Sequence, residues 1–127
     1  MIKDQIQQLA KKYAPEFIEI RHQIHANPEL SYQEFETSAF VQNKLTELGI
    51  PFEVKATTGV VGLIKGKNPD TKITALRADM DALPMQEFNT FDHASKHAGK
   101  MHACGHDGHT AMLLAAALHF SKNRNFD

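Results

Sequence analysis

The sequence predicts an α/β fold on three observations. Apolar residues recur at helical spacing up to Leu48, short β-branched segments separated by turn residues follow from Phe52 to Ala78, and a compact apolar run after Gly108 is helical again. At 127 residues the chain is one domain by length. A chain of this size buries about two-thirds of the surface its unfolded form exposes, enough for a genuine core.

Ile6, Leu9, Tyr13, Phe17, Ile20 and Ile24 step by three or four and line one face of a helix, which Pro15 is expected to break or kink. Asn27-Pro28 ends it. Ser31 to Glu34, "SYQE", reads as a capping box opening a second helix through Phe35, Val41, Leu45 and Leu48, closed by Gly49. After Pro51 come "FEVKA", "VVGLIKG" beyond the Thr58-Gly59 turn, and "KITALRA" beyond Asn68-Pro69-Asp70, read as three strands. The third, Ile73 to Ala78, runs into "DMDALP". Asp79 and Asp81 then stand at a strand's carboxyl end, where open α/β sheets place their sites, although turn capping would also put carboxylates there. Residues 86–100 are polar and aperiodic, a surface loop, and "TAMLLAAALHF" is a helix starting after Gly108. "SKNRNFD" brings no closing element, and the ending reads like a cut in a longer protein.

Composition excludes more than it selects. A formal charge of -1 gives no field to attract nucleic acid, and the lysines at 11, 12, 96 and 100 have no interleaved aromatic residues, so they read as solvated faces. The apolar run from Ala111 to Leu118 is far short of the roughly 20 residues that span a bilayer, and the charged N-terminus does not resemble a signal peptide. The single Cys104 cannot form an internal disulfide, which points to a reducing cytoplasm.

The chemistry is concentrated in residues 100–110, "KMHACGHDGHT". If the stretch is extended, His102, Cys104 and His106 share one side. A thiolate and an imidazole two residues apart can then reach one divalent ion of zinc type, and the following helix N-terminus favours the thiolate. The opposing reading is a buried thiol beside hydrogen-bonded histidines. For His102 and His109 a supporting role is the commoner fate. His22 and His25 share a helix face and read as polar or packing residues, Arg77 as a salt-bridge partner, and His93, His97 and His119 as solvated.

"RHQIHANPELSYQE" from Arg21, "TTGVVG" from Thr57, "LRADMDALPMQE" from Leu76 and "GKMHACGHDGHTAMLLAAA" from Gly99 together resemble the N-terminal part of the zinc-peptidase-type, metal-dependent amidohydrolases. That family includes hippurate hydrolase, N-acyl-amino-acid and N-acetyldiaminopimelate deacetylases, and indole-acetyl-amino-acid hydrolases. The likeness is collinear from Arg21 to Leu118. It implies the N-terminal portion of a peptidase-like catalytic domain over residues 1–127, with a central, partly parallel sheet left incomplete and the lid and dimerisation domain absent. It also implies that Cys104 and His106 are the first two ligands of a two-metal site (manganese, zinc, cobalt or nickel) and that Asp81 supports that site. Asp79 stands where the wider superfamily has a histidine ligand.

By the same resemblance, a metal-bound hydroxide would attack the amide of an N-acyl amino acid or short peptide, with a glutamate as proton shuttle. That glutamate, the later ligands and the family's homo-dimer surface lie beyond Asp127, so residues 1–127 alone are expected to be inactive. The expected partner is a small amide substrate, with no nucleic acid and no membrane. Two other readings stay open: a cysteine hydrolase using Cys104 with His102 or His109 as base, and a non-enzymatic metal-binding or interaction remnant.

Overall fold

The first helix, α1, runs from Ile2 to Ala26 in a computed structural model that describes all residues, Met1–Asp127. Pro15 lies inside it, and the expected break does not occur. Proline removes the N–H that would reach the Lys11 carbonyl, but Lys11 and Pro15 both face solvent, where water serves that oxygen. On the opposite face Ile20 and Ile24 are buried, and their packing holds the C-terminal turns in place.

Helix α2, Phe35–Glu47, begins where its periodicity predicts, by a different mechanism. Ser31 and Tyr32 lie in an exposed turn, and Glu34, at the N-cap, makes no capping bond. Its carboxylate is buried and accepts from Thr58 Oγ1 at 2.9 Å. The cap comes from Glu29, which accepts from the backbone N–H groups of Glu36 (3.0 Å) and Thr37 (2.6 Å) and from Thr37 Oγ1 (2.6 Å). The capping box is therefore replaced by a carboxylate from outside the helix.

Two of the three expected strands form. β1, Phe52–Lys55, pairs antiparallel with β2, Gly59–Gly62, in the register Phe52 to Gly62 and Lys55 to Gly59. The connecting turn places Ala56 and Thr57 at φ 50° and 75°, left-handed values unusual for residues with a Cβ. Gly62 lets the hairpin close on α2, since a Cβ there would lie 3.3 Å from side-chain atoms of both Leu45 and Ile50. The third segment, Ile73 to Ala78, is not a strand: a ladder needs a partner, and none of the chain pairs with it. Parallel pairing is confined to one bridge, Leu30 to Ala82.

α3, His106–Lys122, starts four residues before Thr110, where the apolar stretch begins, because Gly105 at φ 92° supplies the N-cap. It packs chiefly against α1. The core is Ile20, Ile24, Val41, Leu45, Ile50, Ala111 and Leu114, where three helices and the hairpin meet. Each large aliphatic side chain buried there contributes about 1.5–3 kcal/mol. The C-terminal tail folds back: the Phe126 carbonyl accepts from Lys67 N at 2.7 Å. No helix is long and apolar enough to cross a membrane.

Candidate metal centre

Three chain segments that form little regular structure meet beside the start of α3. Ala82 N–H donates to the Glu29 carbonyl at 2.7 Å, and Leu83 exchanges backbone hydrogen bonds with Met101 at 2.9 and 3.0 Å. The "DALP" stretch is thus clamped between the end of the Pro28-Glu29-Leu30 turn and the segment leading to Cys104. Thr110, buried in the second turn of α3, donates its hydroxyl to the Asp79 carbonyl at 3.1 Å and fixes the helix against the same stretch.

The clamp brings Asp81 to His106. His106 Nδ1 lies 2.9 Å from Asp81 Oδ1 and 3.0 Å from the Asp81 carbonyl. A backbone carbonyl only accepts, so Nδ1 carries a hydrogen and Nε2 is the nitrogen left to offer a lone pair to a metal. This is the arrangement in which a carboxylate orients a metal-binding imidazole.

Cys104 is a free, exposed thiol on the bend that precedes α3. The extended geometry expected for residues 101–106 is not adopted, because His106 is already helical. The alternation fails with it: His102 is buried while Cys104 is exposed. His109 is exposed, its ring 5.6 Å from that of His106. Asp79 turns away and pairs with Arg77 at 2.9 Å, in keeping with the salt-bridge reading of Arg77. No three His, Cys, Asp or Glu side chains converge closely enough to hold an ion, so the chain offers two candidate ligands and not a closed cage.

Behind this site lies a buried ionic cluster that the sequence reading missed. His25 Nδ1 is 2.8 Å from Asp107 Oδ2, its Nε2 is 3.0 Å from Glu87 Oε1, and Arg21 Nε reaches the same Asp107 oxygen at 3.1 Å. Asp107 has no exposed surface. Burial disfavours charge on His25, yet its hydrogen bonds to Glu87 and Asp107 outweigh this and raise its pKa above the ordinary imidazole value. Burial likewise works against the Glu87 carboxylate, but bonds from His25, Asn89 and Ser95 bring its pKa down to about 2. Asp107 is lowered in the same way, against burial, by His25 and the Gly108 N–H.

His102 is pushed down by burial, with Asp107 opposing and His25 and His106 adding, and neither ring nitrogen has a protein partner. The 86–100 loop is irregular as expected, but Glu87 roots it in the interior. His93 and His119 are half-buried and only partly solvated. His93 is sandwiched between His22 (3.7 Å) and Phe91 (4.0 Å), since a flat ring among flat rings recovers contact that water would not give. His119 sits edge-on to Phe120. The one hint of the cluster in the sequence was His25 beside Ile24, on the edge of the face that the periodicity buries.

Residues 75–127 match peptidase family M20/M25/M40. The chain is 47% identical over 126 residues to the N-acyl-L-amino acid amidohydrolase of Geobacillus stearothermophilus, covering 98% of this chain and 34% of that protein. The dinuclear metal binding M20 peptidase YXEP of Bacillus subtilis superposes with a TM-score of 0.85 at 41% identity, over 90% of this chain and 32% of that one. The chain is similar to the M20 peptidases in sequence and in fold. Another relative is the hippurate hydrolase of Campylobacter jejuni, 52% identical over 113 residues, or 88% of this chain and 29% of that enzyme. The chain thus spans about a third of the length of the curated relatives it matches. The α/β class expected from sequence is that of the M20 structures.

Proposed function

We propose that this chain supplies the first two ligands of a two-metal amidohydrolase centre, Cys104 Sγ and His106 Nε2, with Asp81 orienting His106. The carrying observation is the double acceptance of His106 Nδ1–H by the Asp81 carboxylate and carbonyl, which presents the other nitrogen as a lone-pair donor. An exposed thiol two residues before it fits a borderline divalent cation such as Zn, Co or Ni better than the harder Mn. When bound, such a cation supplies Lewis-acid activation of water and of an amide carbonyl. The residues of this chain hold and orient. Asp81 keeps His106 in one tautomer and one ring orientation, and the Leu83–Met101 pairing keeps Asp81 in reach.

The substrate class we propose is the N-acyl amino acid or short peptide, supported by what the amidohydrolase and hippurate hydrolase relatives are named for. Residues 1–127 form the N-terminal portion of the catalytic domain in this reading. The general-base glutamate, the remaining ligands and the lid and dimer surface belong to the rest of the protein, and this stretch alone does not turn over substrate. A reduced cytoplasm suits its exposed free thiol. The test is calorimetric titration of Zn2+ or Mn2+ into the chain and its Cys104→Ser variant. Weakened uptake with unchanged unfolding supports the ligand role, and unchanged affinity removes it.

A further inference from the structure

We infer that His25 is a positioning residue for the metal-binding turn: held between Asp107 and Glu87, it fixes the first turn of α3 and with it the aim of His106. The inference rests on the proposed ligand role of Cys104 and His106 and adds a residue from the far end of α1 to it.

Three observations carry it. Arg21 and His25 stand one helical turn apart and both reach Asp107 Oδ2, at 3.1 and 2.8 Å. Two donors from one rigid helix therefore hold a single oxygen of the residue directly after His106. Asp107 is fully buried and α3 begins at His106, so displacing that carboxylate turns the helix end that carries the imidazole. Finally, both nitrogens of His25 lie within hydrogen-bond distance of carboxylates, so both donate and the ring is an imidazolium between two anions.

The second anion ties in the loop. Glu87 also accepts from Asn89 Nδ2 at 2.9 Å and Ser95 N at 2.6 Å, and the neighbouring Lys96 N–H donates to the Ala26 carbonyl at 2.9 Å. His25 thus joins α1, the 86–100 loop and the start of α3 at one ring. Partners that bond a metal ligand directly typically change affinity by about 10- to 100-fold when removed, and His25, acting one residue further out through Asp107, belongs toward the lower end of that range.

A purely structural role for the cluster is the rival, and the experiment separates the two. Co2+ is titrated into the chain and the thiolate-to-cobalt charge-transfer band in the near ultraviolet is followed beside urea unfolding. Four variants are compared: Cys104→Ser, His25→Gln, Arg21→Met and Thr58→Val. Thr58 donates to buried Glu34 and touches none of the cluster, so Thr58→Val lowers stability without a reason to alter the site.

The expected result is a band that Cys104→Ser abolishes, an affinity about 10-fold lower with a shifted band in His25→Gln, a smaller loss in Arg21→Met, and wild-type affinity in Thr58→Val. Wild-type Co2+ affinity in a destabilised but folded His25→Gln overturns the inference. Should His25→Gln not fold, Arg21→Met, whose side chain is half-exposed, decides in the same way. Absence of the thiolate band in the unaltered chain takes down the ligand reading and the inference together, which marks that failure apart from the first.

Discussion

The cap of α2 gives a sharp test, because sequence pattern and structure name different residues. Glu29→Ala removes an acceptor for two backbone N–H groups and the Thr37 hydroxyl, at 3.0, 2.6 and 2.6 Å. Loss of an N-cap costs about 1 kcal/mol, and loss of a negative charge at the positive end of a helix about 0.3–1 kcal/mol. Leaving Thr37, which is 5% exposed, short of an acceptor adds about 1 kcal/mol, for a total of about 2–3 kcal/mol. Glu29→Gln keeps one acceptor oxygen for Thr37 but loses the charge and the bond from the Glu36 N–H, an intermediate cost of about 1–2 kcal/mol. Ser31→Ala, the change that the capping-box pattern marks as damaging, alters an exposed turn and stays within about 0.5 kcal/mol. The assay is urea unfolding followed by far-ultraviolet circular dichroism, comparing midpoints at unchanged slope. If Ser31→Ala costs as much as Glu29→Ala, the assignment of the cap is wrong.

Other consequences are open to equally direct measurement. The folded pKa of Glu87 lies near 2 against an ordinary 4.5, so its contribution is complete above pH 4.5 and drains away as pH falls toward 2; the stability gap between wild type and Glu87→Gln shrinks over that range in acid urea titrations. His25 is raised, so what it contributes is complete below about pH 6.5 and declines as pH climbs through its folded value; the gap to His25→Gln therefore narrows on the alkaline side. Thr57→Gly relieves a left-handed φ of 75° and raises stability by about 1 kcal/mol, read as a higher urea midpoint. Iodoacetamide labels the exposed Cys104 readily, and Zn2+ slows that reaction until a chelator restores it; labelling indifferent to both would favour a nucleophilic cysteine over a ligand.

Local periodicity was enough to locate most elements. The Ile20 and Ile24 face, the Val41 and Leu45 face and the Leu114 and Leu118 face are the buried ones, because helical repeat and burial are the same signal read twice. What failed was non-local. Pro15 allowed either a break or a kinked helix, and the solvent exposure of the freed carbonyl that favours a continuous helix is not visible in a linear pattern. "KITALRA" has strand composition but no partner, and pairing is a property of two segments.

The site was legible to a similar depth. Cys104 and His106 stood out through residue type and spacing, Asp81 was set apart from Asp79 only by the family resemblance, and the structure unites Asp81 with His106. The burial of His25 between Asp107 and Glu87 was not legible, since it joins positions 82 and 62 residues apart. Nothing in the polar 86–100 stretch distinguishes the one acid that is rooted in the interior from its solvated neighbours.

That spacing bears on the order in which the molecule assembles. Helices such as α1 and α2 close their bonds over four residues and form on the fast local timescale, whereas ring closures of 60 residues or more carry a larger entropic toll and come late. The charged knot around His25 therefore forms no earlier than the packing of α3 on α1, which closes loops of similar length. Until it locks, the segment bearing the thiol and imidazole has no fixed bearing, and a nascent chain passes through a phase in which its helices are formed but its reactive corner is not.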